Sequence, residues 1–320
     1  MKRGLVIGKF LPVHNGHIEL IEFAKVRCDE LIVSMSYTRR DTIDPQLRIG
    51  WLREIFKGLP SVRVELLEDD FDDETLPWDR RISIWSEIIR SRFPGIDLIF
   101  SSENYGDLLG SSLGIPHIVF DKERKWFPVS STLIRSQPFK YWQFIPPEVR
   151  PYFVKKLCFY GPESTGKSTM AMELAAKYDT QWVPEVAREL INSNDFSLDD
   201  IRRIGRAQTE RVLELTKSAN KILICDTDVI TTEIYSKVYL DQVPSELFEL
   251  EKAVKYDQYF FFDIDVPWVD DGLRDLRENR DQMREIFMSE LERRGIGYIL
   301  VRGSWGQRQK IVTDYIDALP

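Results

Sequence analysis

Gly161-Pro162-Glu163-Ser164-Thr165-Gly166-Lys167-Ser168-Thr169 is the stretch on which the fold of this chain turns. The apolar run Leu157-Cys158-Phe159-Tyr160 precedes it, and Met170 to Ala176 follows with helical character. Strand, glycine-rich loop and helix are the context that gives G-x-x-x-x-G-K-[ST] its meaning. Gly161 and Gly166 permit backbone angles closed to other residues, so successive N–H groups curl around a phosphate. Lys167 is placed to reach the outer phosphates, Ser168 to ligate Mg²⁺, and the helix adds its positive end. Glu163, Ser164, Thr165 and Thr169 complete the loop. A nucleoside triphosphate is the ligand such a loop predicts.

The loop begins at the middle of a 320-residue chain. Such loops stand near the start of their domains, so the residues before it need a core of their own, and two domains are expected. The net charge of −8 argues against general nucleic-acid binding, which requires Lys and Arg to neutralise phosphates. Cys28, Cys158 and Cys225 are scattered without paired spacing, and two of them lie in apolar runs, so core thiols in a reducing compartment are expected. No run approaches the roughly 18 apolar residues of a membrane span. Met-Lys-Arg leads straight into a strand, leaving no signal peptide, and the expected location is cytoplasmic.

Further strands predict α/β architecture in both halves, with parallel sheets. In the first half Gly4 to Gly8 is a buried strand. Lys9, Phe10 and His14-Asn15-Gly16-His17 then enter a helix that starts at Ile18. Two imidazole donors, a lysine and a helix N-terminus together suit a polyphosphate better than a metal, since no third His or Cys lies nearby in the sequence. Strands over 30–35, 62–66, 97–100 and 115–120 follow. The acidic run 69–74 is expected to be a solvated loop, and Trp78 to stand in a loop where it could stack on a planar ring. Gln137 to Lys156 mixes prolines with aromatics and predicts a packed joint, with the boundary near Pro151.

In the second half a strand is expected to end at Glu185, with Arg188 three residues on. The apolar run Ile222 to Cys225 ends in Asp226, the carboxylate a phosphate-loop site needs for Mg²⁺, and Asp228 stands ready to orient an attacking hydroxyl. Arg274 and Arg277 share a helical face, as in a lid whose guanidiniums cover the transferring phosphoryl group.

Gly8-Lys9-Phe10 with His14-x-Gly16-His17, and Ser130-Ser131-Thr132-Leu133-Ile134-Arg135 later in the same half, resemble the two signatures of the nucleotidyltransferase superfamily. Joined to GPESTGKST, CDTDVITT and PWVDDGLR, they resemble the NadR-type bifunctional family over nearly the whole chain. The resemblance implies a Rossmann-like nucleotidyltransferase domain over 1–150 and a P-loop kinase domain over 151–320. It implies a ribosylnicotinamide kinase and a nicotinamide mononucleotide adenylyltransferase that use ATP and Mg²⁺. Nicotinamide riboside, nicotinamide mononucleotide and NAD are the implied ligands.

By the same resemblance Gly8, Lys9, Phe10, His14, His17, Ser130, Ser131 and Arg135 hold the first triphosphate, with Trp78 and Arg124 on the mononucleotide. His14, His17, Lys167 and Asp226 would be catalytic, and Ser168 and Asp226 would bind the metal. Glu185, Arg188, Asp226 and Asp228 would hold the riboside, with Trp268 stacked on its ring. Some members carry an N-terminal helix-turn-helix; a chain starting at the first strand is expected to lack that repressor activity. Three rivals remain: a flavin-nucleotide synthetase, disfavoured by the phosphate loop; a related enzyme for another nucleoside; and a sensor with one inactive domain. The oligomeric state is open, a homo-oligomer being compatible with the sequence.

Overall fold

The computed structural model describes residues 1–72, 75–191, 193, 195–269 and 276–320. Two compact units divide it, Met1–Arg150 with Pro320, and Pro151–Leu319. Each is a five-stranded sheet in which every neighbouring pair runs parallel.

The first unit runs β1 (Arg3–Gly8), α1 (Asn15–Lys25), β2 (Glu30–Tyr37), α2 (Pro45–Ile55), β3 (Val62–Glu68), α3 (Trp78–Arg92), β4 (Leu98–Ser101), α4 (Tyr105–Leu113), β5 (His117–Val119) and α5 (Ser131–Ser136). Its strand order is β3-β2-β1-β4-β5. Leu5, Ile32 and Ile99, from three adjacent strands, pack against Ile82, Ile89 and Phe93 of α3 and Leu109 of α4. The chain goes to one side of β1 and then to the other, so the loop after β1 opens at the switch point, where parallel α/β sheets hold ligands.

A short helix, α6 (Arg150–Phe153), spans the boundary. The second unit continues with β6 (Lys155–Tyr160), α7 (Lys167–Lys177), β7 (Gln181–Val183), α8 (Ala187–Leu190), α9 (Leu198–Thr216), β8 (Ile222–Asp226), α10 (Val229–Leu240), α11 (Ser245–Ala253), β9 (Gln258–Phe262), α12 (Arg280–Arg293), β10 (Tyr298–Val301) and α13 (Trp305–Asp317). The order β10-β9-β6-β8-β7 puts β6 at the centre. Apolar side chains of β6 and β9 bury against α10 and α12, with Phe287 and Leu291 fully enclosed. The thiols of Cys158 and Cys225 are free and buried on neighbouring strands. No helix among the described residues is long and apolar enough to cross a membrane.

Several local expectations change. Trp78 is the first residue of α3 rather than part of a loop. The acidic run is not simply solvated: Asp69 is buried and Asp72 is clamped by Arg81 through two bonds of 2.7 Å. Glu185 lies beyond β7, because Pro184 has no N–H with which to continue the ladder. Arg277 opens a short 3₁₀ turn ahead of α12, and Arg274 lies outside the described residues.

Candidate active sites on two parallel sheets

In the first unit, β1 delivers Lys9 and Phe10, and α1 begins immediately after His14. The His14 carbonyl accepts from the N–H groups of His17 and Ile18, at 2.8 and 3.1 Å, which starts the helix. The two imidazoles stack with centroids 3.7 Å apart, and Phe10 packs edge-on to His17 at 4.9 Å. Burial drives the pKa of His14 down to about 3, with the Arg124 charge adding to it, and burial also holds His17 well below its ordinary value. Both rings are therefore neutral near pH 7. His17 Nδ1 accepts from the His14 N–H at 3.3 Å, which leaves the proton on Nε2 as a donor. Neutral imidazole donors bind a phosphate oxygen without titrating.

The second motif is tied to the first by direct bonds. Ser131 Oγ donates to the Pro12 carbonyl at 2.9 Å, and Arg135 donates to the Leu11 carbonyl. Ser130 caps α5 through the Leu133 N–H. Arg124 bridges Glu103, at 2.8 Å, and the Val129 carbonyl, at 3.1 Å. Gly8, Lys9, Phe10, His14, His17, Arg124, Ser130, Ser131 and Arg135 all line one cavity of about 390 Å³. Trp78 does not. It lines an adjoining cavity of about 230 Å³ that shares Ile7, Gly8, Lys9 and Tyr105 with the first. The Arg81 guanidinium lies 4.6 Å over its ring. Sequence reasoning missed Tyr105, whose hydroxyl donates to the Ile7 carbonyl, and Arg48, fully buried, which ties the Lys9 carbonyl to Asp41.

In the second unit β6 leads into the phosphate loop. A side chain at Gly161 would bring Cβ within 2.7 Å of the Phe262 carbonyl, and at Gly166 within 2.9 Å of the Trp305 ring. With φ of +132° and +87°, both positions require glycine. The Lys167 ammonium donates to the Gly161 and Pro162 carbonyls at 2.8 Å each, and burial lowers its pKa. Thr165 closes the loop onto the Pro162 carbonyl at 2.9 Å. Glu163 and Ser164 accept from the N–H groups of Leu276 and Val269. A cavity of about 60 Å³ is lined by Gly161, Glu163, Ser164, Thr165, Gly166, Lys167, Ser168, Thr169, Glu185 and Arg188.

Asp226 ends β8 with its carboxylate buried. Burial pushes its pKa up to about 6, while the charge of Lys167 and a hydrogen bond from Ser168 pull the other way. Its Oδ1 has no hydrogen-bond partner among the described residues. A hydroxyl and a carboxylate with an unused buried oxygen are hard oxygen donors of the kind Mg²⁺ takes, so Ser168 and Asp226 fit that ion and would hold it. A second cavity, of about 100 Å³, shares Glu163, Glu185, Arg188, Thr231 and Tyr235 with the phosphate cavity and is walled by apolar residues including Phe196, Ile201 and Ile204. Glu185 and Arg188 pair at 2.8 Å on its rim.

Three expectations do not fit this geometry. Asp228 caps α10, accepting from the Thr231 N–H and hydroxyl at 2.9 and 3.0 Å and from the Tyr259 hydroxyl at 2.9 Å. Both oxygens are engaged and it lines neither cavity, so it is not placed to orient a substrate hydroxyl. Trp268 also lines neither; it lies beneath Arg280, 5.6 Å from the guanidinium carbon to the ring. Arg277 is exposed and away from both. Arg280 instead reaches the loop, donating to the Ser164 and Val266 carbonyls. Arg308, fully buried, bonds the Thr165, Asp263 and Gly303 carbonyls and the Asp265 carboxylate. No local motif marks either arginine, because their partners come from distant segments.

The comparisons with known proteins agree with this geometry. A model described as an AAA domain matches residues 156–308. A crystal structure of NadR protein in complex with NR superposes with a TM-score of 0.80 at 22% identity, covering 98% of this chain and 95% of that one, and so shares the fold. The nicotinamide-nucleotide adenylyltransferase of Thermococcus onnurineus is 29% identical over 163 residues, 49% of this chain and 83% of its own. The trifunctional NAD biosynthesis/regulator protein NadR of Escherichia coli K12 is 31% identical over 326 residues, which span 93% of this chain and 78% of that protein. With a candidate site on each of two parallel sheets and that likeness over most of both chains, the protein belongs to the NadR family.

Proposed function

We propose that the chain is a bifunctional enzyme of NAD biosynthesis, a ribosylnicotinamide kinase joined to a nicotinamide-nucleotide adenylyltransferase, with the kinase in residues 151–320 and the adenylyltransferase in residues 1–150. The observation that carries this reading is the presence of two separate cavities, each lined by the residues of its own motifs, in a chain of this family.

In the kinase unit the loop N–H groups and Lys167 gather the β- and γ-phosphates of ATP. Ser168 and Asp226 would hold Mg²⁺, which when bound neutralises phosphate charge. Glu185 and Arg188 stand where the acceptor cavity meets the phosphate cavity, a position suited to the ribose of nicotinamide riboside. Its 5′-hydroxyl attacks the γ-phosphorus, the bond to the β–γ bridging oxygen breaks, and the products are the mononucleotide, ADP and a proton released to solvent. Lys167 and Arg188 sit where negative charge grows, so the unit works by positioning and electrostatics.

In the adenylyltransferase unit Lys9, Arg135 and the neutral imidazoles of His14 and His17 line the cavity that suits a second ATP. The mononucleotide phosphate attacks the α-phosphorus, giving NAD and pyrophosphate. The attacking oxygen is already anionic, so no general base is required. The His17 Nε2–H donates to a phosphate oxygen, and the cations stabilise the departing pyrophosphate. A cytoplasmic location suits both substrates, and the assembly may be tested for homo-oligomers by light scattering.

The test is a chromatographic product assay with MgATP and either nicotinamide riboside or nicotinamide mononucleotide. NAD is expected from both. NAD from the mononucleotide alone would assign the kinase unit to another nucleoside, and ligand binding without product would indicate a sensor.

A further inference from the structure

Ser101, the last residue of β4, lines the 390 Å³ cavity of the first unit. Its Oγ lies 2.9 Å from His117 Nε2, and His117 Nδ1 lies 2.8 Å from Asp107 Oδ1. The hydrogen bond from the ring holds the Asp107 carboxyl below its usual range, so it is ionised near pH 7 and draws the ring proton to Nδ1. The neutral imidazole then offers Nε2 as an acceptor, and the Ser101 hydroxyl donates to it. The Glu103 carbonyl, at 3.1 Å, is the more distant claimant on that proton. The Glu103 N–H, 3.3 Å from Oγ, takes one lone pair and leaves the other for the cavity. A Cβ at Gly106, in the first turn of α4, would collide with His117 Nε2 and stand 2.5 Å from Ser101 Oγ. The pair meets because residue 106 has no side chain.

A core histidine is satisfied by any two partners; here one of them is a hydroxyl on the wall of a cavity that Lys9, Arg124 and Arg135 also line. Hydroxyl, imidazole and carboxylate in this order make an activated nucleophile. Adenylyl transfer to an anionic mononucleotide phosphate needs neither a base nor a serine, so the three groups have no task in it. Resting on the adenylyltransferase reading above, we infer that Ser101 is a covalent modification site, which takes the adenylyl group of ATP held in this cavity when no mononucleotide is present. Ser101 Oγ attacks the α-phosphorus and passes its proton to His117 Nε2. The Oγ–P bond forms as the bond from phosphorus to the α–β bridging oxygen breaks, and pyrophosphate leaves with that electron pair. Asp107 stabilises the imidazolium, and Arg124 the charge gathering on the phosphorus oxygens. The product is a serine phosphodiester standing in the substrate cavity.

The experiment incubates the full chain with MgATP labelled at the α-phosphorus, without mononucleotide, and maps the label by peptide mass spectrometry. An adenylyl group on Ser101 is expected, and no label when the γ-phosphorus carries it. Label on other residues only, or none while the same protein converts the mononucleotide to NAD, would overturn the inference and leave the adenylyltransferase reading standing. Label on Ser101 in a chain that makes no NAD would support the modification and remove that reading; neither label nor NAD would remove both. A second measurement uses Asp107→Asn, at the exposed end of the three groups. An amide there donates to Nδ1 and leaves the ring proton on Nε2, where it can no longer accept from Ser101. The labelling rate at saturating ATP should fall at least about tenfold, with the ATP concentration for half the maximal rate unchanged. An unaltered rate, or a loss confined to ATP affinity, would overturn the inference.

Discussion

At the scale of single residues, the phosphate sites are built from groups whose charge is set by burial. His14 and His17 line the proposed triphosphate cavity as neutral rings, because desolvation disfavours the imidazolium and the Arg124 charge adds to it. Between pH 3 and 6.5 the unfolded chain binds a proton at His14 that the folded chain excludes. Stability therefore falls as pH drops through that window and is unaffected by this group above it. Asp226 has the opposite sign: its folded pKa of about 6 lies above the ordinary carboxylate range, so its contribution is present in acid and lost as pH rises through 6. In nitrogen-detected NMR of the ligand-free protein, His17 should show the Nε2–H tautomer, and neither His14 nor His17 should titrate from pH 5 to 8. A midpoint near 6.5 for either ring would contradict the environment described here.

At the scale of elements, loops that hold phosphates are themselves held by buried arginines. Arg308 projects from α13 and ties the phosphate loop, the end of β9 and the turn after β10 through bonds to three carbonyls and the Asp265 carboxylate. Removing it strands acceptors that water reaches poorly, a loss of about 3 kcal/mol by analogy with other broken buried pairs, less what the partly exposed Asp265 recovers from solvent. Arg308→Met should lower the denaturation midpoint of the kinase unit and raise the KM for ATP in riboside phosphorylation. An unchanged KM in a destabilised protein would show that the arginine supports the fold without setting the loop. In the other unit Arg48 has the corresponding task, with the Lys9 carbonyl and Asp41 as its partners.

At the scale of the whole molecule, two units with independent sheets and cores each carry their own set of motif residues. Single substitutions should separate them. Lys167→Ala is expected to lower riboside phosphorylation by about a thousandfold or more and leave the conversion of mononucleotide to NAD intact. His17→Ala should do the reverse, with adenylyl transfer reduced by about a hundredfold. Paired rate measurements on the riboside and the mononucleotide check both. Loss of both activities in either variant would mean that the two sites do not work independently.

Much of this was legible in the chain because the decisive signals are local. A loop of nine consecutive residues between an apolar strand and a helix specifies a phosphate site, since backbone N–H groups, one lysine and one hydroxyl all come from that segment. The histidine pair and the Ser-Ser-Thr-Leu-Ile-Arg segment were visible for the same reason. The alternation of apolar strands and amphipathic helices determined two parallel α/β layers, because only helices on both faces bury such strands. What lay beyond the sequence depends on segments far apart in the chain. Asp228 reads as a carboxylate that orients a substrate hydroxyl until Thr231 and Tyr259 occupy its oxygens. Asp69 reads as one charge in a solvated run until the sheet end closes over it. Arg280 and Arg308 acquire their roles only when remote carbonyls converge on them. Residue type and spacing thus determined which chemistry is present, while burial and long-range hydrogen bonding, which exist only in the folded chain, decided which charged groups are left to act on a ligand.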